Sequence, residues 1–386
     1  MRHLRIRNAL SSFHPLTISP FHPLLLALAA SVVVAAAQGE SIVDGRPVRV
    51  LANDKMALTV RSLGGTFSHL FLKDDPEQIN PFQGLGHFVC VDGFGPVSAE
   101  ERAAGLPGHG EARRVPWDLV VSEKKDGLLT AGFSATLPIV HETFRRTIRI
   151  VDGEQVIYVD SELENLLGFD RPINWGEHAT LGGPFLEQGQ TFTEMSAKRA
   201  MTRTYESEAV NPPEHHNLAD GKPFTWPMAP DATGKLIDMR VAPTITPVMD
   251  QTTSLMDESR ELAFVASLHP GKRLVIGYVF KRAEYPWLQI WDNYPSPPRN
   301  ASRGMEFATE PFDLPRRDVI SANSMFDTPT YRWLPARKTI RSSFLLFYAR
   351  TPAGFDGISD VTLADGKVTI KDRKGTEMVL AASKGL

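Results

Sequence analysis

Three short segments of this 386-residue chain place histidines or carboxylates beside glycines and aromatic residues. The first is GLPGHGEARRVPW at residues 105–117, where His109 stands between two glycines and is followed by Arg113 and Trp117. Glycine neighbours let the backbone take unusual dihedral angles and let a ligand approach closely. Charged hydrogen-bond partners and an aromatic face suit a sugar ring. The competing interpretation is a solvated turn with the tryptophan packed in the core.

The second segment, NWGEHATLGGPFLE at residues 174–187, follows the strand-like run EQVIYVDSELENL. It brings Trp175, Glu177 and His178 within four positions, so that an indole, a carboxylate and an imidazole stand where a chain leaves one strand and approaches another. An imidazole and a carboxylate can serve as general acid and base. A structural histidine beside a glycine turn is the alternative.

The third segment is RGMEFATEPFDLP at residues 303–315. Glu306 has apolar neighbours, which predicts partial desolvation of its carboxylate. Desolvation raises the pKa of a carboxyl group and makes the carboxylate a better base. Glu310, four residues further on, competes for this role, and an exposed glutamate at a strand edge is the simpler alternative.

The elements that must position these residues are strands. Short runs rich in β-branched and aromatic residues recur between Gly, Pro and Asp turns, and apolar residues alternate in several of them, as in Phe344, Leu346 and Tyr348. Such alternation suits a sheet with one buried face. No segment has a long helical stripe with caps. We therefore expect an antiparallel all-β protein, a large sandwich of two packed sheets with little helix.

Two regions depart from this pattern. Residues 205–235 carry five prolines and few strand signals, which predicts a long irregular loop. In the tail, VTLADGKVTIKD places Asp365 and Gly366 between two alternating runs, a strong hairpin signal. We expect this hairpin, within residues 356–386, to cap an edge of the sandwich domain at 42–355.

The N-terminus has the features of an export signal. Three arginines in the first seven residues precede the apolar run LLLALAASVVVAAA, residues 24–37, which ends in polar residues. This run is shorter than the ~20 residues of a membrane-spanning helix. We predict a signal peptide at 1–37 and a periplasmic or secreted protein without a membrane span; a retained anchor is the alternative. The residues Asn-Ala-Ser that begin at Asn300 form an N-glycosylation sequon, which is used only in a host that glycosylates exported proteins.

Composition and missing motifs exclude several classes of function. The net charge of −3 gives no electrostatic footprint for nucleic acid or an anionic membrane. Cys90 is the only cysteine, which rules out an intramolecular disulfide and a thiolate cluster. His215 and His216 are adjacent and make poor joint metal ligands. With no dinucleotide fingerprint, P-loop or nucleophile elbow, we expect no cofactor and no metal.

In this order the three segments resemble the galactose mutarotase-like, or aldose 1-epimerase-like, superfamily. The resemblance covers roughly residues 50–350 and includes VRSLGGTFSHLFLKD, YPWLQIWDNYP and RWLPARKTIRSSFLLFYAR. It implies a large antiparallel sandwich, the supersandwich, whose concave sheet face binds a sugar.

The resemblance also implies roles for single residues. Glu306 matches the base that takes the proton from the anomeric hydroxyl, and His178 matches the acid that protonates the ring oxygen. His109 matches a second histidine that binds the sugar and supports the charge. We expect the acid and base on opposite sides of a pocket one ring wide. The sugar-binding residues expected around them are Arg113, Trp175, Glu177, Trp117 and Trp291.

The chain departs from the superfamily pattern in three places. Its histidine motif reads GEHATLGG, residues 176–183, where typical members have a strand-like run that ends in aromatic residues. Typical members have an arginine where this chain reads GLGHFVCVDGFGP, residues 84–96. The mid-chain aspartate that grips sugar hydroxyls is either Asp238 or Asp250. We therefore hypothesise an exported protein that interconverts anomers of a free sugar or a glycan end. A non-catalytic carbohydrate-binding protein and a polysaccharide lyase are the alternatives, since fold does not fix function.

Overall fold

The computed structural model describes residues 40–204, 215–296 and 301–386, and the strands are numbered in chain order. The larger sheet of this part of the chain has eleven antiparallel strands. Their spatial order is β1 (Ser41–Val43), β2 (Arg46–Ala52), β3 (Met56–Arg61), β4 (Phe67–Leu72), β5 (His87–Val91), β11 (Trp175–Gly182), β21 (Ser302–Ala308), β20 (Trp287–Tyr294), β17 (Val248–Met256), β13 (Ala197–Thr202) and β14 (Pro223–Thr225).

A second sheet of eight antiparallel strands packs against the first. Its order is β12 (Phe192–Met195), β18 (Leu262–His269), β19 (Leu274–Lys281), β25 (Thr339–Arg350), β9 (Val156–Asn165), β8 (Glu142–Val151), β7 (Leu128–Leu137) and β6 (Asp118–Lys125). Smaller strand groups are β10 (Arg171–Ile173) with β24 (Arg332–Leu334), β15 (Met228–Pro230) with β16 (Leu236–Asp238), β22 (Ser324–Met325) with β23 (Thr328–Pro329), and β26 (Asp360–Ala364), β27 (Lys367–Lys371) and β28 (Glu377–Ala381).

The all-β prediction is confirmed. The helices of the described residues are two short ones, α1 (Ala99–Ala103) and α2 (Arg316–Ala322). Phe344, Leu346 and Tyr348 of β25 face the other sheet and join the main core, while the residues between them face outward. The predicted irregular loop contains β14 and β15, each three residues long, within its described part.

The C-terminal tail differs from its prediction. Asp365 and Gly366 form the expected turn, both with positive φ, between β26 and β27. A third strand, β28, follows, and apolar side chains of all three strands pack on the outer face of the eight-stranded sheet. The expectation that the tail caps an edge was wrong because the outward residues of β25, among them Leu345 and Phe347, are apolar and need cover.

Two predictions concern residues outside the described part: the signal peptide at 1–37 and the sequon at Asn300. Both stay predictions. Among the residues that the structure describes, no helix has the length and apolar character of a membrane span.

Candidate active site

A row of side chains crosses the outer face of the eleven-stranded sheet. His178 in β11 lies directly opposite Phe88 in β5 and Glu306 in β21, and Glu306 lies opposite Gln289 in β20. Directly paired residues of antiparallel strands point to the same face of a sheet. The register of four strands therefore brings together residues that are 218 positions apart in the sequence, Phe88 and Glu306.

His178 and Glu306 are in direct contact. Nε2 of His178 lies 3.3 Å from Oε1 of Glu306. Nδ1 of His178 lies 2.9 Å from the hydroxyl of Thr180 on the same strand, and the imidazole stacks on the ring of Phe88 at 4.4 Å. Oε1 of Glu306 is buried and has no hydrogen-bond partner among the described residues. The contact between Oε1 and Nε2 of His178 is therefore close but falls outside hydrogen-bond geometry, which leaves Oε1 able to form a hydrogen bond to a ligand.

The pKa values of the pair shift in opposite directions. Burial raises the pKa of Glu306 well above its ordinary value, and the nearby Asp313 adds to the rise while Arg203 opposes it. Burial lowers the pKa of His178 well below its ordinary value, and His109 and Arg113 add to this effect. Both shifts favour the uncharged form. In this uncharged form the pair holds a single proton, which resides on Glu306.

His109 comes from a loop that passes over this face. Its backbone has a φ of 64°, a left-handed conformation, and its ring lies 5.2 Å from the ring of His178. The backbone N–H of Gly95 donates a hydrogen bond of 3.1 Å to Nδ1 of His109. Burial, with Arg113 and Arg114, lowers the pKa of His109 to about 4. The neutral ring therefore carries its hydrogen on Nε2, where it can donate to a ligand.

Gly110 explains why this loop is rich in glycine. Its φ is 73°, and a Cβ atom at this position would lie 2.0 Å from the carbonyl oxygen of Val91. Only glycine allows the loop to approach the end of β5 so closely. Arg113, three residues on, stacks its guanidinium over the ring of Phe88 at 4.0 Å. The loop thus delivers His109 and Arg113 to the same face as His178.

A polar network borders Glu306 on its other side. Arg203 forms an ion pair of 2.6 Å with Asp313 and donates a hydrogen bond of 2.6 Å to Gln251. The amide of Gln251 donates to Gln289, the residue directly opposite Glu306. Sequence reasoning did not identify these residues, nor Phe88, as part of the site, because strand register brings Phe88 and Gln289 to the pair and loop packing brings Arg203 to Asp313.

The relative position of acid and base corrects one expectation. We expected a gap one ring wide between Glu306 and His178, but the two groups touch at 3.3 Å. The anomeric hydroxyl oxygen and the ring oxygen are bonded to the same carbon, so two neighbouring groups can serve both oxygens.

Several solved structures share this architecture, although no family model and no curated protein matches the chain. A putative aldose 1-epimerase from Klebsiella pneumoniae is 14% identical, with a TM-score of 0.56 and 80% of each chain covered. A galactose mutarotase-like protein from Clostridium acetobutylicum is 14% identical, with a TM-score of 0.55, and the match covers 81% of this chain and 98% of the other.

A galactose mutarotase related enzyme from Lactobacillus acidophilus is 11% identical, with a TM-score of 0.53 and coverage of 79% of this chain and 99% of the other. These likenesses extend over most of the chain. The chain has the galactose mutarotase-like fold. The resemblance stated from the sequence is confirmed at the level of the fold.

Three residues expected to bind sugar lie elsewhere in the galactose mutarotase-like sandwich. Trp175 and Glu177 sit on the face of β11 opposite to His178, fully buried between the sheets. Trp117 is also in the core, where its ring lies 5.2 Å from that of Phe144. The assignment of these three residues to the sugar site is corrected. In β11 neighbouring side chains alternate, so Glu177 and His178 cannot both face one ligand.

Trp291 does reach the same face of the sheet as His178. It is paired with Gly304, its ring lies 6.1 Å from that of His178, and it is half-buried.

The two mid-chain aspartates do not reach this face. Asp250 accepts hydrogen bonds from the backbone of Asn217 and Leu218, and Asp238 binds Arg240.

Gly304 provides a steric test of the site. A Cβ atom at this position would lie 2.1 Å from Oε1 of Glu306. Gly304→Ala is therefore expected to push the carboxyl group away from His178 and to lower the rate of any reaction at this pair by at least about tenfold. Gly168→Ala, which adds a methyl group in open space, is the control. Equal turnover by the two variants would contradict the contact between Glu306 and His178.

Proposed function

We propose that this chain is an exported enzyme of the aldose 1-epimerase type, which interconverts the anomers of a free sugar or of a reducing glycan end. The observation that carries the proposal is the buried contact between Nε2 of His178 and Oε1 of Glu306, which is not yet a hydrogen bond, with the ring of Phe88 stacked on the imidazole. The names of the fold neighbours, among them a putative aldose 1-epimerase, support it. Export rests on the N-terminal segment 1–37 alone.

The pair can move one proton each way. As the sugar binds, the proton on Glu306 passes to Nε2 of His178, which gives a carboxylate and an imidazolium. The carboxylate then takes the proton of the anomeric hydroxyl while the imidazolium donates its proton to the ring oxygen. The bond between the anomeric carbon and the ring oxygen breaks, and a carbonyl group forms. Rotation and ring closure in the reverse sense give the other anomer and restore the pair.

The surrounding residues bind the sugar in this proposal. Nε2–H of His109 and the guanidinium of Arg113 donate hydrogen bonds to hydroxyl groups, and the indole of Trp291 covers a face of C–H bonds. Phe88 holds the imidazole of His178 by stacking and holds Arg113 by a cation–π contact. It acts as a positioning residue for both groups.

The proposal is tested by following anomers directly. Purified protein is mixed with freshly dissolved α-glucose, α-galactose and a panel of other aldoses, and each anomer is quantified by NMR against a protein-free control. We expect accelerated equilibration for at least one sugar. Binding of a sugar without acceleration would make the chain a carbohydrate-binding protein. The proposal would be overturned if no sugar of the panel were bound and none equilibrated faster.

The pH dependence of this rate is a second test. The pair works while it holds one proton, and a second proton would be taken up by His178, whose pKa lies well below its ordinary value. His109 titrates at about 4. The catalysed rate is therefore expected to stay constant as the pH falls through about 6.5, where an ordinary histidine titrates. At higher pH the rate falls once Glu306 loses its proton. A half-maximal rate near about pH 6.5 on the acid side would contradict these shifts.

A further inference from the structure

A second cavity lies beside β4, away from the His178–Glu306 pair. It has a volume of about 420 Å³, within the range of small-molecule sites. Polar side chains and one phenyl ring dominate its wall, among them Asp44, Arg61, Ser68, His69, Phe71 and Gln83. None of these residues belongs to the site described above.

A β-bulge shapes one wall of this cavity. In the pairing of β3 with β4, His69 lies opposite Thr59 and Phe67 opposite Val60, so that Ser68 is an extra residue in its strand. A bulge re-aims side chains that would otherwise alternate. As a result Ser68 and His69, although adjacent, are in contact at 3.1 Å and both line the cavity.

The turn between β1 and β2 also lines the cavity. Asp44 has a φ of 51° in this turn, and its carboxylate lies 3.5 Å from Nε2 of His69. The amide of Gln83 comes from the connection between β4 and β5. This connection is fixed, because the N–H of Gly182 donates to the carbonyl of Pro81 at 3.0 Å and the backbone of Gly182 packs directly on that of Gln83.

The wall chemistry indicates the class of ligand. One carboxylate, from Asp44, balances one guanidinium, from Arg61, and burial lowers the pKa of His69, which keeps that imidazole neutral at neutral pH. A net-neutral wall gives no preference for a charged ligand. Planar donors and acceptors suit several hydroxyl groups, and the half-buried ring of Phe71, 5.8 Å from the ring of His69, suits a face of C–H bonds.

We propose that this cavity is a second carbohydrate site, which binds a neutral sugar residue independently of the His178–Glu306 pair. Gly182, which supports its wall, lies four residues from His178 on β11, a distance of about 13 Å along the strand. The two sites therefore bind different sugar rings. The proposal concerns binding alone and does not depend on turnover at the first site.

Methyl glycosides test it, because they lack the free anomeric hydroxyl that interconversion requires. Binding of methyl β-glucoside, methyl β-galactoside and methyl α-mannoside to the full chain is measured by saturation-transfer NMR and titration. The variant Asp44→Gly removes the carboxylate and keeps a residue that accepts positive φ. Asp126→Gly is its matched control, since Asp126 has a φ of 50° in the equivalent turn between β6 and β7.

We expect at least one methyl glycoside to bind to the unaltered chain and to Asp126→Gly, and about tenfold weaker binding to Asp44→Gly, the loss expected for a hydrogen bond to a charged group. Arg61→Gln should weaken binding in the same way. Anomer interconversion, if present, should be unchanged in Asp44→Gly. Equal binding by Asp44→Gly and Asp126→Gly, or no binding of any of the three probes, would overturn the proposal.

Discussion

Glu306→Gln is expected to lower the catalysed rate of anomer interconversion by about a thousandfold, the middle of the range for loss of a general acid–base group. The glutamine side chain fills the same space, so the stack of Phe88 on His178 should persist. It cannot, however, take up or release the proton that the reaction moves. The single proton of the pair is then lost, and His178, whose pKa is lowered by burial, holds none at neutral pH.

Glu310→Gln is the matched control. Glu310 is also buried, its pKa is raised to about 7, and it lies four residues from Glu306, but its Oε2 accepts a hydrogen bond from Thr309 instead of facing His178. We expect its rate to stay within about tenfold of the unaltered chain. A larger loss in Glu310→Gln than in Glu306→Gln, measured by NMR of both anomers, would transfer the role of base to Glu310.

Arg146→Met is expected to lower the free energy of unfolding by about 3–5 kcal/mol. Arg146 extends from β8 in the eight-stranded sheet to Glu177 in β11 of the other sheet, and both side chains are fully buried. Nε2 of His87 lies 3.0 Å from the second carboxylate oxygen of Glu177, and the hydroxyl of Tyr278 lies 3.1 Å from Nδ1 of His87. Without Arg146 this buried carboxylate loses its charged partner and keeps His87, the indole N–H of Trp175 and the hydroxyl of Tyr285.

Two further variants separate this effect from simple loss of packing. Arg145→Met removes the exposed neighbour, which pairs with Glu164 at 2.8 Å, and should cost less than about 1 kcal/mol. The double variant Arg146→Met with Glu177→Gln removes both charges and should be more stable than Arg146→Met alone. All are compared by urea denaturation. If Arg146→Met and Arg145→Met had equal stability, the buried pair would not be a stabilising interaction.

The sequence predicted the fold and five residues that meet at the candidate site, His109, Arg113, His178, Trp291 and Glu306, but not the surroundings of these residues. His109, His178 and Glu306 stand in local motifs, so their resemblance to a known pattern could be seen without a structure. No pattern in the sequence assigns a role to Phe88, Arg203 or Asp313. Phe88 reaches His178 through the pairing of β5 with β11, and Arg203 meets Asp313 by the packing of two loops, contacts that a single sequence does not report.

The wrong expectations for the sugar-binding residues and for the C-terminal strands have physical causes. The sequence did contain the signal that excludes Trp175 and Glu177, because both differ from His178 by an odd number of positions in a strand. Asp250 and Gln251 are neighbours in β17, so their side chains point to opposite faces of the sheet, and it is Gln251 that faces the site. The position of the C-terminal strands has no comparable signal, since an alternating hairpin packs equally well on an edge or on a face.

The alternation of β11 also affects how the chain folds. If this strand paired with its neighbours one residue out of register, His178 would enter the core opposite Arg146, and the carboxylate of Glu177 would point out toward Phe88. Such a misfolded form would bury a guanidinium against an uncharged imidazole and lose the ion pair. The loss of this ion pair therefore disfavours the register shifted by one residue. The contact between His178 and Glu306 forms only in the native register of β11.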